Sequence, residues 1–300
     1  MERRVLYFIN PVSGRRRKRT LPEIISEKTN EKGIPFEILL TNADGYYPGL
    51  IEKIKEEEVT DVVICGGDGT VSQVASLLLD TEVNMGIIPL GSGNGLALAS
   101  KIPANIHKAL EIIFTGTPAF VDAFFINEKF SCMLCGVGFD AQVAHDFAKH
   151  KRRGLVTYIE ESLKNFIKAV PYQFDITIKG KTFSETAFFI SIANGNQFGN
   201  NFTIAPMASL HDGLLDIVVV KKMSKAKLVW AILKQIKRGE VQSHEEIFHK
   251  NEILYFQADK LIIHNHQMAP LHIDGEPEET SKKLEIEILP MAFKLIMPAR

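Results

Sequence analysis

The first 120 residues alternate short apolar runs with longer amphipathic ones. Four runs rich in β-branched or aromatic residues, each bounded by turn formers, predict buried strands at 5–9, 36–40, 62–65 and 86–90. Apolar positions at helical spacing predict helices at 21–32, 47–57, 71–79 and 106–114. This βαβα order is typical of a parallel sheet covered by helices on both faces.

After Pro118 the pattern changes to strand-like runs with short connections. Strands are predicted at 119–126, 130–137, 174–178, 187–193, 215–220, 253–257, 260–264 and 284–289, with helices at 140–150, 155–168 and 226–237. We therefore predict two domains: a doubly wound α/β domain over residues 1–120 and a mostly antiparallel β-sandwich with inserted helices over 121–290. The final strand, 292–297, is expected to return to the first sheet and to bring residues 291–300 with it.

Composition supports a folded cytoplasmic protein. The 300 residues are 45% hydrophobic, enough for two buried cores, and the 35 basic and 36 acidic residues nearly cancel, so no nucleic-acid partner is expected. Three cysteines, an odd number, argue against a disulfide framework. No apolar stretch approaches the roughly 18 residues of a spanning helix, so we expect no transmembrane segment, although peripheral contact with a membrane surface stays compatible.

Two glycine-rich loops follow predicted parallel strands. Residues 66–70 (GGDGT) open a predicted helix, and residues 91–95 (GSGNG) follow the next strand. Glycines let several backbone N–H groups converge on an anion, and the carboxyl ends of such strands face one crevice. A phosphate site is therefore predicted, although neither loop is a Walker A or GxGxxG motif. The alternative is a tight turn with Thr70 as helix N-cap.

A third loop, residues 10–14, ends the first predicted strand and precedes five consecutive cations at 15–19. These cations could cover the phosphates of a nucleotide or meet anionic lipid headgroups, at about 1 kcal/mol per residue near a membrane. A solvated helix start is the third alternative.

Six motifs in order resemble the diacylglycerol kinase catalytic-domain superfamily: NPVSG, GGDGT, GSGNGLA, GVGFDA, IAPMASLHDGLLD and IDGE. They span nearly the whole chain and are closest to soluble bacterial lipid kinases and to sphingosine and ceramide kinases. The resemblance implies a nucleotide-binding α/β domain, a β-sandwich domain and an active site in the cleft between them. It also implies transfer of the ATP γ-phosphoryl group to a lipid primary hydroxyl at a membrane surface. Which lipid is used, and whether the protein forms a homodimer, is left open.

The resemblance assigns contacts with ATP to residues of all three loops and to one residue after the second strand. These are Asn10, Pro11, Val12, Ser13, Gly14, Arg15, Thr41, Gly66, Gly67, Asp68, Gly69, Thr70, Val71, Ser72, Gly91, Ser92, Gly93 and Asn94. The chain departs from the common pattern at Gly95, where many members carry an aspartate. Ser92 keeps the usual hydroxyl, which brings this loop closer to the sphingosine kinase form.

The same resemblance assigns the chemistry to acidic residues. Asp274 of IDGE is the implied proton acceptor, with Glu276 holding water or a cation beside it, and Asp68 is the candidate to organise the Mg²⁺ of Mg·ATP. A hydroxyl nucleophile needs a carboxylate within hydrogen-bond reach. The alternative is that Asp274 and Gly275 merely form a turn between two strands.

A second Mg²⁺ site, structural in nature, is implied in HDGLLD. Its ligands would be Asp212 and the main-chain oxygens of Ser209 and Leu214, a hard oxygen-only set. Asp216 is then expected only to begin a strand.

Other polar and reactive residues are given structural roles. Cys132 and Cys135 form a CxxC in an apolar run, which favours buried core over redox or zinc chemistry. His264 and His266 share one strand face and are expected at a solvent-facing edge, while Asp140 is expected to cap a helix.

Two functional alternatives accompany the lipid kinase prediction. NAD kinases share GGDGT-type loops and also phosphorylate a hydroxyl. A nucleotide- or lipid-sensing module that has lost catalysis would keep the same fold, since fold alone does not fix function.

Overall fold

The computed structural model describes residues 2–13, 21–42, 44–149, 169–197, 203–222 and 252–299. Its strands are β1 (Val5–Ile9), β2 (Phe36–Leu40), β3 (Asp61–Gly66), β4 (Asn84–Pro89), β5 (Thr117–Ile126), β6 (Lys129–Ser131), β7 (Leu134–Gly138), β8 (Tyr172–Ile178), β9 (Lys181–Ala193), β10 (Leu215–Lys221), β11 (Ile253–Ala258), β12 (Lys260–Asn265), β13 (Leu271–Ile273), β14 (Glu276–Glu278) and β15 (Lys283–Met297). Its helices are α1 (Leu21–Glu31), α2 (Leu50–Glu56), α3 (Asp68–Leu77), α4 (Gly95–Ala99), α5 (Ile106–Thr115) and α6 (Phe139–Lys149). The chain forms two compact units, Met1–Val121 with Met291–Arg300 and Asp122–Pro290, and passes between them within β5 and β15.

The first unit contains a parallel sheet in the order β2, β1, β3, β4, with the end of β15 parallel to β4. Every residue of β1 and β3 is buried, because apolar side chains on both faces of these strands are covered. The packing of α5 on β4 is close at Gly86, where an added Cβ would lie 3.1 Å from the Ile113 side chain.

The second unit is built from antiparallel pairs. β9 pairs with β8 through its first half and with β7 and β10 through its second half. β13 joins β7 and carries the short β14, while β12 lies between β8 and β15. Inward-facing residues of these strands form one apolar core that includes Phe124, Phe174 and Leu261. The predicted fold class, α/β followed by a mostly antiparallel β domain, is confirmed.

Two predicted strands differ from the observed ones for identifiable reasons. The predicted strand 130–137 is split into β6 and β7 at Cys132 and Met133, whose backbone N–H groups turn towards the carboxylate of Asp274. The runs at 284–289 and 292–297 form the single strand β15, which accommodates Pro290 with a left-handed residue, Met291, at φ +52°.

Some predictions fall on residues that the structure does not describe, namely the helices at 155–168 and 226–237. Among the residues it does describe, no helix is both long enough and apolar enough to cross a membrane.

Candidate functional site

The two glycine-rich loops of the first unit touch backbone to backbone. A Cβ built on Gly91 would lie 2.6 Å from the Cα of Gly67, and one built on Gly67 would lie 3.1 Å from the Cα of Gly91. The Leu90 N–H also donates to the Gly66 carbonyl at 2.8 Å, which continues the parallel pairing of β3 and β4 into the loops. Glycine is required at these positions by close approach.

Asp68 links the two loops through its side chain. It is the first residue of α3, and its Oδ1 accepts a hydrogen bond from the Gly95 N–H at 2.7 Å. Asn94 holds the same loop from within, because its side-chain amide accepts from the Gly91 N–H and donates to the Gly91 carbonyl, both at 2.9 Å. The loop that would face a phosphate is therefore ordered by the protein itself.

The third loop joins this edge of the sheet through Asn10. Its Nδ2 donates to Thr70 Oγ1 at 2.6 Å, and its Oδ1 accepts from the Val12 N–H at 2.8 Å. The alternative that Thr70 is the N-cap of α3 is wrong, because Gly67 occupies that position and Thr70 lies in the first turn. Thr41, at the end of β2, is buried and donates its N–H to the Ile9 carbonyl at 3.0 Å.

Solvent reaches these loops to different degrees. Pro11, Val12 and Ser92 are exposed; Asn10, Ser13, Gly67, Asp68, Gly69, Ser72, Gly91, Gly93 and Asn94 are half-buried; Gly66, Thr70 and Val71 are buried. The predicted contacts at Gly14 and Arg15, and the basic run 15–19 as a whole, lie outside the described residues.

In the second unit, Asp274 and Gly275 form the two-residue loop that joins β13 to β14. Their φ values are +49° and +82°, the left-handed pair that a type I′ hairpin turn requires. The turn interpretation is therefore correct for the backbone. It leaves the side chain of Asp274 unexplained, because the carboxylate points into the protein and the residue is only 6% exposed.

Four donors from the segment between β6 and β7 surround that carboxylate. Oδ1 accepts from Ser131 Oγ at 2.7 Å and from the N–H groups of Met133 at 3.2 Å and Leu134 at 3.1 Å. Oδ2 accepts only from the Cys132 N–H, at 3.4 Å. A carboxylate offers about four lone-pair positions, two on each oxygen, so Oδ2 retains capacity for another donor. Sequence reasoning missed Ser131, which no local motif marks.

Glu276 lies at the start of β14, directly after the hairpin loop, and is exposed. Its position one residue beyond Gly275 matches the predicted place beside Asp274.

The predicted structural metal loop is well ordered. Asp212 is exposed, and its Oδ1 accepts from the Leu214 N–H at 3.1 Å, while Ser209 Oγ accepts from the His211 N–H at 3.3 Å. Gly213 donates its N–H to Oδ2 of the buried Asp122 at 2.8 Å. In the part of the chain that the structure describes, no group of three or more His, Cys, Asp or Glu side chains could hold a metal. An ion here would need main-chain oxygens, as the predicted ligand set does.

Asp216 does more than begin β10. It is fully buried and accepts hydrogen bonds from the hydroxyl of Tyr255 and from Gln257 Nε2, the latter at 3.2 Å. Burial raises the pKa of Asp216 above its usual value, and the two hydrogen bonds offset part of this rise.

We expect Asp216→Asn to reduce the pH dependence of stability. Because the pKa of Asp216 is higher in the folded state, the free energy of unfolding falls as pH rises from about 3.8 through that raised value, and the loss persists at neutral pH. Urea titrations at several pH values should show that the variant gains stability relative to wild type as pH rises across this window. Asp259→Asn, at an exposed carboxylate, controls for the change in charge. Parallel curves for wild type and Asp216→Asn would contradict the prediction.

The other reactive residues have structural surroundings. Cys65, Cys132 and Cys135 are buried, and burial raises the thiol pKa of Cys65 and Cys135. His264 is exposed, and the exposed His266 lies 2.7 Å from Asp175 through its Nε2.

Comparison with known proteins places this geometry in a family. Residues 4–126 match the diacylglycerol kinase catalytic domain, and residues 134–297 match the YegS C-terminal NAD kinase beta sandwich-like domain. A protein of Shewanella frigidimarina named "Probable lipid kinase YegS-like" is 30% identical over 81% of this chain and 78% of its own length. A protein of Bacillus subtilis named diacylglycerol kinase is 26% identical over 91% of this chain and 89% of its own.

Solved structures show the same fold. Two from Bacillus anthracis str. Sterne match with TM-scores of 0.79 and 0.72, at 24% and 20% identity, and each covers 98% of this chain and 96% of its own. The second is described as a diacylglycerol kinase. Since both family profiles match in order and together span nearly the whole chain, the resemblance carried by the six motifs is confirmed, and the protein is a kinase that belongs to the lipid kinase family of diacylglycerol kinase catalytic domains.

Proposed function

We propose that the protein transfers the γ-phosphoryl group of ATP to a primary hydroxyl of a membrane lipid. The observation that carries the proposal is the carboxylate of Asp274, buried at a hairpin tip with one oxygen saturated and the other able to take a proton. This is the arrangement that a general base for a hydroxyl nucleophile needs.

The first unit supplies the phosphate seat in this proposal. Half-buried backbone around Gly67, Gly69, Gly91 and Gly93 offers N–H groups at the start of α3, where the helix dipole also favours an anion. Ser92 adds an exposed hydroxyl. Asp68 is the carboxylate of these loops that suits Mg²⁺, a cation that prefers oxygen ligands. When bound, Mg²⁺ neutralises the charge on the transferring phosphoryl group.

The second unit supplies the base. The lipid hydroxyl gives its proton to Oδ2 of Asp274 as its oxygen bonds to the γ-phosphorus and the bond from that phosphorus to the β-bridging oxygen breaks. ADP leaves with the electron pair of the broken bond. Glu276, exposed at the start of β14, holds water or a cation beside the reacting groups.

A structural Mg²⁺ completes the proposal. Asp212 and the main-chain oxygens of Ser209 and Leu214 would hold it, an oxygen-only set on a loop that Asp122 anchors through Gly213. Its role is to shape this loop, and the phosphoryl transfer takes no step through it.

The test is incubation of the purified full chain with γ-labelled ATP, Mg²⁺ and a total lipid extract, with NAD in a parallel reaction. We expect label in a phospholipid that mass spectrometry identifies, followed by assays on purified diacylglycerol, sphingoid base, phosphatidylglycerol and polyprenol. Label in NAD alone would make the protein an NAD kinase. Thermal stabilisation by ATP without transfer to any acceptor would make it a sensor.

A further inference from the structure

A buried polar pair lies beside the hairpin that carries Asp274. His272 of β13 is fully buried, and Asp140, in the first turn of α6, is 6% exposed. His272 Nε2 lies 3.5 Å from Asp140 Oδ2. Buried ionisable groups are costly in an apolar core, so their presence here calls for a function.

Gly136 makes room for the pair. It lies opposite His272 in the β7–β13 register, and a Cβ built on it would lie 2.0 Å from Asp140 Oδ2 and 2.5 Å from His272 Nε2. The glycine of the GVGFDA motif is therefore required by these two side chains, because no residue with a side chain would leave them space.

The other ring nitrogen of His272 contacts the catalytic hairpin. Nδ1 accepts the Gly275 N–H at 3.3 Å, so this nitrogen carries no proton and the neutral ring is protonated on Nε2, towards Asp140. This tautomer follows from the hydrogen-bond pattern. Gly275 is the residue next to Asp274, and its bond to the ring fixes the left-handed turn.

Asp140 is itself fixed in place. Its Oδ1 accepts from the Ala141 N–H at 2.8 Å, which leaves Oδ2 directed at the ring. Further along α6, His145 Nε2 lies 2.8 Å from the Leu271 carbonyl, so the helix is attached to β13 at a second point.

We propose that Asp140 and His272 are positioning residues for the kinase reaction: Asp140 selects the Nε2-protonated tautomer of His272, and that tautomer holds the Asp274–Gly275 hairpin in its reactive geometry. The inference rests on the proposed role of Asp274. Neither residue touches the reacting atoms, and both act through the backbone of Gly275.

Asp140→Asn tests the tautomer directly. The introduced amide can still accept from Ala141 through its oxygen, but its NH₂ group then faces Nε2 and moves the ring proton to Nδ1, against the Gly275 N–H. We expect turnover to fall about tenfold, within the range caused by small misplacements of a catalytic group, while KM for ATP stays unchanged. His264→Gln, at an exposed histidine on β12, is the matched control and should leave turnover unchanged.

A double-mutant cycle separates positioning from simple structural support. In His272→Asn the shorter amide can still accept from Gly275 but has no tautomer to select, whereas His272→Gln reaches towards Asp140 and loses the acceptor near Gly275. We expect His272→Asn to retain more turnover than His272→Gln, and Asp140→Asn to cost little when combined with His272→Asn. An equal loss from Asp140→Asn in both backgrounds, or wild-type turnover in Asp140→Asn alone, would overturn the proposal.

NMR keeps this inference distinct from the proposed function. ¹⁵N spectra of the His272 ring should show an unprotonated Nδ1 in wild type and a protonated one in Asp140→Asn, with about tenfold faster exchange of the Gly275 amide in the variant. If these changes appear in a protein without kinase activity, the pair is correct and the proposed reaction is wrong. If wild type phosphorylates lipid but the ring carries its proton on Nδ1, the pair is wrong and the reaction stands.

Discussion

Asp274→Asn is expected to lose about a thousandfold in turnover, within the range for loss of a general base, and to keep its affinity for ATP. The introduced oxygen can take the place of Oδ1 and accept from Ser131, Met133 and Leu134. The introduced NH₂ then replaces Oδ2, where only the long bond from Cys132 is lost, but it cannot accept a proton from the lipid hydroxyl. Initial rates with labelled ATP and calorimetric titration with ATP measure both effects.

Ser131→Ala separates the base from its surroundings. This variant removes the shortest bond to Oδ1 but leaves the carboxylate and its three backbone donors, so it should lose much less turnover than Asp274→Asn. Melting curves establish that both variants fold. Full turnover by a folded Asp274→Asn variant would show that the carboxylate serves only to tie β6 and β7 to the hairpin.

Most of the fold could be predicted from local sequence. Strands β1 and β3 are buried on both faces and appear as unbroken apolar runs, so their period and length were sufficient to find them. The two glycine loops could also be found, because close approach of Gly67 and Gly91 leaves a compositional trace in the chain.

The surroundings of Asp274 could not be predicted in the same way. Its donors at Ser131 and Leu134 lie 143 and 140 residues away along the chain, and their sequence is an ordinary apolar run with one serine. The same holds for His272, whose relation to Asp140 exists only because Gly136 lies opposite it in the β7–β13 register. Sequence motifs mark the residues at a site, whereas contacts between distant strands determine which oxygen or nitrogen each residue presents.

Gly91→Ala should disrupt the phosphate seat without altering any polar side chain. The added methyl group would lie 2.6 Å from the Gly67 Cα and 2.8 Å from Asn94 Oδ1, so the two loops must separate or the Asn94 amide must leave Gly91. We expect the Kd for ATP to rise about tenfold, equivalent to about 1.4 kcal/mol, and turnover to fall about a hundredfold because the phosphates shift relative to the acceptor.

Gly67→Ala and Gly33→Ala make the argument quantitative. The methyl group in Gly67→Ala would lie 3.1 Å from the Gly91 Cα, a milder clash than the reverse substitution, so its effect on ATP affinity should be smaller. Gly33 has φ +64° with nothing within 4 Å of an added Cβ, so Gly33→Ala should cost about 1 kcal/mol of stability through backbone strain alone and leave the Kd for ATP unchanged. An order of effects Gly91, Gly67, Gly33 assigns the loss to loop separation. If Gly91→Ala binds ATP as tightly as Gly33→Ala does, contact between the two loops is not what forms the phosphate seat.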